Sequence, residues 1–412
     1  MGTKRGCPYS SAELHERARN FTLFDPAVPD YFDLFAGFHD ELPAFHSEQF
    51  GGFYVFTKYE DCRTILKDSE TFSSRQIFIP KVEIVGAEGG LIPEEVDQPD
   101  HGKYRAALNA ALGPRRVRPL YDDARRIADE YLAKIVQAGS ADLVADFCVP
   151  FPVYTFLLML GAPADDAPQL LYWKERMLGD GLGGDEIKRA EVQNEVLPAM
   201  VSHFEQMLAA RRGSPDAPDD LLTALANATI DGRPWSQSEL RRATMQYLMA
   251  GLDTVTSALS SMLYFLATHP EHRRDLDENR DLIPNAVEEM LRYCGLTGPA
   301  RYVTRDTEVG GIQLRAGDLV HCILQATGRD PDEFPDADVV DFRRQTNRHL
   351  AFGAGRHRCQ GSHLARMELA VALEAVLDHL PDLALAPGAN PVPRWGYVFG
   401  FSELPIVVKS RS

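Results

Sequence analysis

A single cysteine lies in a loop whose neighbours favour its ionised form. The loop is the segment FGAGRHRCQG, residues 352–361, and a helix with apolar periodicity is predicted from about Ser362 to Leu380. Two glycines in the loop let the backbone turn tightly and approach a partner closely. The N-terminus of the helix and the adjacent arginines both stabilise a thiolate. Cys359 is therefore predicted to be an anion.

Three chemistries are compatible with such a thiolate. A buried structural cysteine is the simplest, although it needs neither the glycines nor the arginines. A zinc site is the second, but the second cysteine pair and the compact spacing of zinc sites are missing. A single thiolate ligand to haem iron, in a loop whose N–H groups tune the sulfur, is the third. The zinc interpretation would use His349, His357, Cys359 and His363.

A long apolar helix carries a second chemical motif. It begins at a capping box at Ser236 and continues to His269, and about 32 residues make a rod of about 48 Å. Apolar residues on most of its circumference predict burial at the centre of a large fold. Gly251, Asp253 and Thr254 interrupt it at the middle. They are either a packing glycine and a threonine bonded back to a carbonyl, or a local distortion that admits a ligand.

Composition argues against several classes of protein. The 412 residues carry 43 Lys and Arg against 60 Asp and Glu, and this net charge of −17 does not suit a nucleic-acid binder. The six cysteines form no CxxC pair, as expected of thiols in a reducing compartment. The longest apolar stretch, 149–160, is shorter than the roughly 20 residues that span a bilayer, and the N-terminus lacks an apolar secretory core. We therefore expect a soluble, cytoplasmic protein without a membrane segment.

The elements around these motifs predict a mainly α-helical fold with minor β-structure. Residues 53–56 read as a strand, 60–67 as a helix, and 121–269 as mainly helical. Alternation in 303–325, with glycine-containing turns, predicts a small sheet. No internal repeat or low-complexity linker divides the chain, so residues 1–412 are expected to form a single domain.

Four motifs in one order resemble those of the cytochrome P450 family. The segment 352–361 matches the haem-ligand signature FxxGxxxCxG of that family at every fixed position. The ExxR motif of the family is matched at 289–292, its oxygen-activation motif at 250–254, and its HxxxR motif at 101–105. An ExxR pair alone is common on exposed helices, but the four motifs together are specific. The chain is identified as a member of this family over residues 53–408, with most resemblance to the soluble bacterial camphor hydroxylases.

This resemblance implies the cytochrome P450 fold, with haem b buried between the central helix and the helix after the cysteine loop. Cys359 would be the axial thiolate, and cationic side chains would pair with the haem propionates. Pro299 departs from the family pattern, because the camphor hydroxylase has an aspartate there. Glu289, Arg292 and Arg344 resemble the network that braces the loop. The residues carried over as haem-binding are His101, Arg105, Ala250, Gly251, Arg301, Phe352, Gly353, His357, Cys359 and Gly361.

The resemblance also implies a monooxygenase that inserts one atom of O₂ into an unactivated C–H bond. Thr254 would hold an ordered water beside the iron, and Asp253 would relay protons from solvent. A haem-thiolate sensor or ligand-binding protein without turnover is the alternative from another class, but binding alone needs no proton relay. A peroxide-driven enzyme is a third possibility, and such members tend to lose the acid–alcohol pair.

The expected substrate is small, cyclic and apolar. No tyrosine occurs in 60–103, where the camphor hydroxylase has its substrate-binding tyrosine, so camphor itself is disfavoured. A monoterpenoid such as cineole or a norisoprenoid such as ionone is predicted, with a polar group from the central helix orienting its oxygen. A glycine-rich segment, 179–184, is either a substrate lid or a flexible surface loop. The predicted pocket residues are Phe78, Gln246, Tyr247, Met249, Thr297 and Val398.

Electrons must come from another protein, because the chain shows neither a flavin fold nor cluster-binding cysteines. The resemblance implies an acidic [2Fe–2S] ferredoxin, served by an NADH-dependent ferredoxin reductase. Arginines predicted near Cys359 would steer such a partner on a chain that is acidic overall. Several of them can instead pair with propionates or internal carboxylates. These arginines are Arg105, Arg115, Arg116, Arg118, Arg343, Arg348, Arg356 and Arg358.

Overall fold

The computed structural model describes residues 7–81, 89–177 and 186–408. These residues are mainly helical with several small sheets, as the sequence predicts. They form two compact units, each assembled from segments that are distant in sequence. The first unit holds the described residues up to 81, together with 257–359 and 381–407, and the second holds the rest. The expectation of a single domain stays a prediction.

The described residues form sixteen α-helices, most of them in the second unit. In chain order they are α1 (Ser11–Arg19), α2 (Tyr31–Glu41), α3 (Tyr59–Lys67), α4 (Asp100–Leu112), α5 (Pro114–Val117), α6 (Tyr121–Ala138), α7 (Pro150–Leu160), α8 (Ala167–Glu175), α9 (Glu186–Glu191), α10 (Leu197–Arg211), α11 (Leu221–Ala226), α12 (Gln237–Thr268), α13 (Pro270–Glu278), α14 (Ile283–Cys294), α15 (Leu324–Thr327) and α16 (Ser362–His379).

The strands are short, and a five-stranded sheet in the first unit is the largest β-structure described. Its strand order is β1-β2-β10-β7-β3; β10 runs parallel to β2, and the other neighbours pair antiparallel. The strands are β1 (Ala44–Ser47), β2 (Phe53–Phe56), β3 (Phe72–Ser73), β4 (Ser140–Asp142), β5 (Thr229–Ile230), β6 (Arg233–Pro234), β7 (Ala300–Val303), β8 (Thr307–Val309), β9 (Ile312–Leu314), β10 (Leu319–Cys322), β11 (Val392–Arg394), β12 (Gly400–Glu403) and β13 (Pro405–Val407).

Aromatic packing holds α2 against the sheet of the first unit. The side chain of Asp30 accepts the Phe32 N–H at 2.8 Å and so caps the N-terminus of α2. The ring of Phe38, from the apolar face of this helix, lies 4.5 Å from the ring of Phe45 on β1. Both rings belong to a buried cluster that also contains Val55 of β2. This cluster fixes the edge of the sheet, and β7 of the same sheet carries one predicted site residue.

Helices α6, α7 and α16 pack together in the second unit. Gly139 and Gly161 adopt left-handed φ angles of +76° and +83°, and they end α6 and α7 respectively. The apolar residue Leu132 of α6 is completely buried, as is Leu373 of α16. The helix predicted after the cysteine loop is therefore confirmed, and its partners in the second unit are defined.

The long helix predicted from the capping box is confirmed. The backbone N–H of Glu239 donates to Ser236 Oγ at 3.2 Å, and the Ser236 N–H donates back to the Glu239 carboxylate at 2.6 Å. All 32 residues of α12 are α-helical, including residues 250–254. The local distortion considered for those residues is therefore not seen, since backbone hydrogen bonding continues through them.

The β-structure predicted over 303–325 is present as β7 to β10, but it is not one small sheet. Strands β7 and β10 belong to the five-stranded sheet, β8 and β9 form a separate two-stranded sheet, and residues 324–327 form the short helix α15. The predicted lid, 179–184, and most of the segment 85–90 before the HxxxR helix lie outside the described residues. None of the helices in the described ranges combines the length and apolar composition needed to cross a membrane.

Candidate functional site

The cysteine loop is closed by backbone hydrogen bonds within the first unit. The N–H of Cys359 donates to the Phe352 carbonyl at 2.8 Å, and the N–H of Gly353 donates to the Leu350 carbonyl at 2.7 Å. Gly353 and Gly355 have φ angles of +67° and +68°, a region that residues with a Cβ rarely adopt. An added Cβ at Gly355 would also overlap the carbonyl of Leu66. The predicted role of glycine as the residue that permits this turn is confirmed.

A buried network braces the segment that leads into this loop. Glu289 accepts two hydrogen bonds of 2.8 Å from the Arg292 guanidinium, and the two side chains are only 1% and 0% exposed. The Nε of Arg344 lies 3.1 Å from both oxygens of Glu289, and the side chain of Asn347 donates to the same carboxylate at 3.0 Å. The motifs of the sequence predicted three of these residues in one network. Asn347 was missed, because no motif marks it.

The zinc interpretation of Cys359 gains no support. All four of its residues lie in the described part of the chain, and no group of three His, Cys, Asp or Glu side chains there is placed to hold a metal ion. His349 instead bonds Glu288 at 3.1 Å. The cysteine is exposed, so it is also not the buried structural thiol of the simplest interpretation.

Two predicted propionate partners are buried in the first unit. Arg301 lies on β7, and its Nη1 donates to the Ala300 carbonyl at 2.7 Å. His357 lies in the short turn before Cys359 and is also buried. Phe352, at the start of the same loop, is buried as well. The guanidinium of Arg301 and the imidazole of His357 are therefore both removed from water. Buried cationic or proton-donating groups of this kind suit an anionic ligand.

Helix α4 of the second unit carries the HxxxR motif. His101 is buried in its first turn, and its Nδ1 lies 2.9 Å from the side-chain amide nitrogen of Gln98. Because that amide can only donate, Nδ1 accepts and the proton of the neutral ring lies on Nε2. Arg105 follows one turn later and is half-buried. Gly361, the last residue of the cysteine signature, is in this unit and accepts the Ala365 N–H at the start of α16.

One face of α12 remains partly exposed although most of the helix is buried. Ala250 is exposed, and Gln246, Met249 and Thr254 are half-buried. These positions repeat at spacings of three to four residues, so they share a face. The hydroxyl of Thr254 donates to the Ala250 carbonyl at 2.9 Å, which is the back-bond considered from the sequence. The face is therefore available to a ligand.

Gly251 lies at a close contact with α7. A Cβ added to it would overlap the ring of Phe156, so no larger residue fits without a shift. This contact supports the packing interpretation of Gly251 over a contact with the cofactor. Ala250, the residue before Gly251, lies on the exposed face of the helix.

Asp253 forms a buried ion pair that the sequence did not reveal. Its Oδ1 lies 3.3 Å from Nζ of Lys174 on α8, and both side chains are 7% exposed. Lys174 lies on the buried face of α8, beside Trp173 and one turn after Leu170. A lysine on the apolar face of a predicted helix was the available signal, because such a lysine needs a buried anion.

Tyr247 is committed to a polar contact within the second unit. Its hydroxyl donates to Gln360 Oε1 at 3.0 Å. The Nε2 of Gln360 donates in turn to the Arg105 carbonyl at 3.1 Å and to Asn109 at 3.0 Å. The prediction that Tyr247 orients a substrate oxygen is not supported by this arrangement, since its one O–H is already used.

Three predicted pocket residues lie on hydrogen-bonded segments of the first unit. The Ile77 carbonyl accepts the Ala300 N–H at 2.9 Å, and the Leu296 carbonyl accepts the Phe399 N–H at 2.8 Å. These bonds join the segments that carry Phe78, Thr297 and Val398, whose side chains are all half-buried. The ring of Phe78 also lies 4.9 Å from that of Tyr397, whose hydroxyl donates to the Pro80 carbonyl.

The eight arginines predicted as a docking patch differ in exposure and pairing, and Arg105 is the half-buried residue of α4 described above. Three are paired with carboxylates of the same unit, as the alternative interpretation allowed. Arg115, Arg118 and Arg356 are exposed, and none has an ion-pair partner among the described residues. Arg358 is also exposed. The paired arginines are Arg116 with Asp219, Arg343 with Asp275, and Arg348 with Glu333.

Comparisons with known proteins agree with the motifs. The family profile described as Cytochrome P450 matches residues 169–394. Probable cytochrome P450 127A1 of Sinorhizobium fredii is 36% identical, over 86% of this chain and 83% of that protein. The mycinamicin IV hydroxylase/epoxidase of Micromonospora griseorubida is 34% identical, over 86% of this chain and 89% of the relative. The crystal structure of CYP101J2 matches with a TM-score of 0.84 and 26% identity, over 95% and 97% of the two chains.

The chain belongs to the cytochrome P450 family, and its fold is that of the family. It is a cytochrome P450 monooxygenase that uses haem b, and its reaction requires O₂, a substrate and a redox partner. The relatives found are bacterial P450s of several kinds. The particular nearness to camphor hydroxylases therefore stays a prediction.

The residues present suit a thiolate-bound haem. Cys359 supplies an exposed soft ligand, whereas the other five cysteines are buried or half-buried. A Cβ added to Gly353 would meet no atom within 4 Å, so a flat ring can approach the loop there. The buried Arg301 and His357 of the first unit suit carboxylates of the cofactor.

The Lys174–Asp253 pair predicts strong energetic coupling. In a double-mutant cycle with Lys174→Met and Asp253→Asn, the free energies of unfolding should couple by about 1–3 kcal/mol, because each single variant leaves a buried charge without its partner. The exposed pair Lys103–Asp231, with a 2.7 Å contact, is the matched control and should couple by less than about 1 kcal/mol. Equal coupling in the two cycles would contradict the assignment.

Proposed function

We propose that Cys359 is the axial thiolate of the haem and that this protein hydroxylates a small apolar substrate. The exposed thiol, in a loop fixed by glycines and by the Cys359–Phe352 hydrogen bond, carries the proposal. When bound, the haem activates O₂, so that one oxygen atom enters a C–H bond and the other leaves as water. Two electrons from a redox partner and two protons complete the balance.

The side chains proposed to hold the cofactor fall into three chemical groups. Cys359 ligates the iron. Arg301 and His357 of the first unit, and His101 and Arg105 of the second, pair with the propionates; the burial of all but Arg105 supports this, because buried anions need cationic or proton-donating partners. The remaining contacts come from small or apolar residues that let the ring approach closely. These are Ala250, Phe352, Gly353 and Gly361.

Asp253 and Thr254 are proposed to deliver the two protons that the reaction consumes. The Thr254 hydroxyl donates to the Ala250 carbonyl, so its oxygen lone pairs remain able to accept a hydrogen bond from a water. Asp253 is buried against Lys174, and opening of this ion pair would give solvent access to the carboxylate for the relay. The two residues therefore have separate roles, in which Thr254 orients a water and Asp253 controls the supply of protons.

The haem-thiolate sensor without turnover, which was the alternative from the sequence, is disfavoured. Its binding function would need the thiolate and the propionate partners, but not a buried carboxylate beside a hydroxyl. The Lys174–Asp253 pair favours the enzyme, since an ion pair that is 7% exposed has a desolvation cost that ligand binding alone does not require.

Replacement of Cys359 by serine tests the proposed ligation. We expect the reduced carbonmonoxy form of Cys359→Ser to lose the long-wavelength Soret band of a thiolate-bound haem, because an alcohol does not replace the thiolate. Cys7→Ser is the control, since Cys7 is half-buried and lies far from the signature in sequence. A Cys359→Ser protein that keeps this band would refute the ligation.

The substrate is proposed to be a compact monoterpenoid or norisoprenoid, such as cineole or ionone. The half-buried group of Phe78, Thr297 and Val398 in the first unit supports an apolar contact surface. Met249 adds an apolar contact on α12, and Gln246 supplies a half-buried amide one turn before Ala250. With the Tyr247 hydroxyl engaged elsewhere, Gln246 is the polar group proposed to orient the substrate oxygen.

A ligand titration tests this choice. Cineole or ionone should shift the ferric haem from low to high spin, and Gln246→Leu should weaken the binding of either about fivefold through loss of one hydrogen bond. The affinity for a cyclic hydrocarbon terpene without oxygen should not change. A full shift with camphor and none with cineole or ionone would overturn the proposal, as would a shift only with a macrolide like that of the mycinamicin relative.

The redox partner is proposed to be an acidic [2Fe–2S] ferredoxin, reduced by an NADH-dependent reductase. Arg356 and Arg358 shortly precede Cys359 in sequence and are exposed, while the net charge of the chain is −17. Local positive charge on an acidic protein gives directional steering toward an anionic partner.

Charge reversal at Arg356 tests this docking surface. The rate of haem reduction by such a ferredoxin at low salt should fall about fivefold in Arg356→Glu, and the difference should shrink at high salt because screening weakens steering. Arg315→Glu, an exposed arginine after β9, is the control for net charge. Equal rates for the two variants would contradict the surface.

A cytoplasmic location also stays a proposal. It is supported by the six cysteines, which form no disulfide with one another in the described residues, as expected in a reducing compartment.

A further inference from the structure

His349 uses both ring nitrogens, and its contacts lie at the entrance to the cysteine loop. Its Nε2 lies 3.1 Å from Oε2 of Glu288, and its Nδ1 accepts the backbone N–H of Ala351 at 3.2 Å. The side chain of His349 is only 4% exposed. Neither contact belongs to the ExxR network, in which the carboxylate is that of Glu289.

The two contacts determine the protonation of the ring. A backbone N–H can only donate, so Nδ1 of His349 must accept and carries no proton. The proton of the neutral ring then lies on Nε2, where it donates to Glu288. A side-chain acceptor that binds the N–H two residues later forms a local turn of the Asx type. His349 therefore turns the chain, and Glu288 fixes the orientation of its ring.

This turn is continuous with the loop that presents the thiolate. Ala351 precedes Phe352, whose carbonyl accepts the Cys359 N–H at 2.8 Å. The rings of His349 and Phe352 lie 5.9 Å apart with a tilt of 46°. The Gly353 N–H donates to the carbonyl of Leu350, which lies between His349 and Phe352 in the chain. A shift of His349 thus moves the residue that holds the backbone of Cys359.

Two adjacent carboxylates on α14 hold alternate residues of the same segment. Glu289 binds the side chain of Asn347 at 3.0 Å, and Glu288 binds His349. The segment between α15 and α16 contains only one short 3₁₀ turn among its described elements, so side-chain bonds must fix its path. Glu288 provides the second of these attachments at His349, which lies nearer in the chain to the loop than Asn347 does.

We propose that His349, oriented by Glu288, is a positioning residue for the Cys359 thiolate. This inference rests on the proposed ligation of haem by Cys359. His349 does not touch the cofactor; it acts by fixing the turn at Ala351 and, through Phe352, the backbone of the cysteine. The bonds require the neutral ring with its proton on Nε2, and a side chain that lacks either nitrogen loses one attachment.

Four variants separate positioning from simple packing. His349→Phe keeps a planar ring but loses both hydrogen bonds, and His349→Asn keeps an acceptor for the Ala351 N–H but is too short to reach Glu288. Glu288→Gln retains an oxygen acceptor for Nε2, whereas Glu288→Leu removes it. His363→Phe, which removes an exposed histidine four residues after Cys359, is the control.

The measurement is the rate at which the reduced carbonmonoxy holoenzyme loses its thiolate Soret band in mild denaturant. We expect His349→Phe, which loses both hydrogen bonds, to lose the band about tenfold faster than wild type. His349→Asn and Glu288→Leu should show intermediate rates, because each keeps an acceptor for the Ala351 N–H but loses the bond to residue 288. Glu288→Gln should restore the wild-type rate, and His363→Phe should match it. The free energy of global unfolding is measured in parallel.

The outcomes distinguish this inference from the proposed ligation. If wild type lacks the thiolate band, the ligation itself fails. If wild type has the band and His349→Phe loses it no faster, the positioning role is wrong. Equal acceleration in His349→Phe and His349→Asn, in proportion to lost global stability, would also overturn it, since packing alone would then explain the effect. Should His349→Phe not fold, Glu288→Leu against Glu288→Gln decides the question.

Discussion

The cysteine loop depends on the hydrogen bonds that surround the buried carboxylate of Glu289. A charge removed from water is tolerated only when other donors replace the water, and here the donors are protein groups. The guanidinium groups of Arg292 and Arg344, the amide of Asn347 and the N–H of Asp341 all bind it. Three of these donors lie in the irregular segment before the loop, so satisfying the charge also fixes that segment.

Rigidity is needed there because the segment has little regular secondary structure of its own. Arg292 extends the network by donating to the backbone carbonyls of Gly328, Ala337 and Val339. The adjacent Glu288 then orients His349, next to the loop. A thiolate ligand must be held at one position against a metal, and these hydrogen bonds supply the restraint that a helix or strand would otherwise give.

Helix α12 meets a different requirement, since it must carry polar chemistry in a buried setting. Its backbone stays helical throughout, and its two central polar groups are satisfied locally or by pairing. Thr254 bonds back to Ala250, and Asp253 pairs with Lys174 of α8. The two side chains of this ion pair are buried, and such burial is costly on a merely structural helix. The exposed face at Ala250 is then left for small molecules.

The sequence by itself determined the features that depend on local physics. The capping box at Ser236, the left-handed glycines around the cysteine loop and the helix after it all follow from propensities within a few residues. The motif spacing likewise specified the family, which the comparisons confirm. Only the tertiary structure decided which distant groups meet: Lys174 with Asp253, Tyr247 with Gln360, and Glu288 with His349, the last two pairs being 113 and 61 residues apart. Such pairs depend on how buried charges and hydroxyls are satisfied after the chain has packed, and no local pattern encodes that choice.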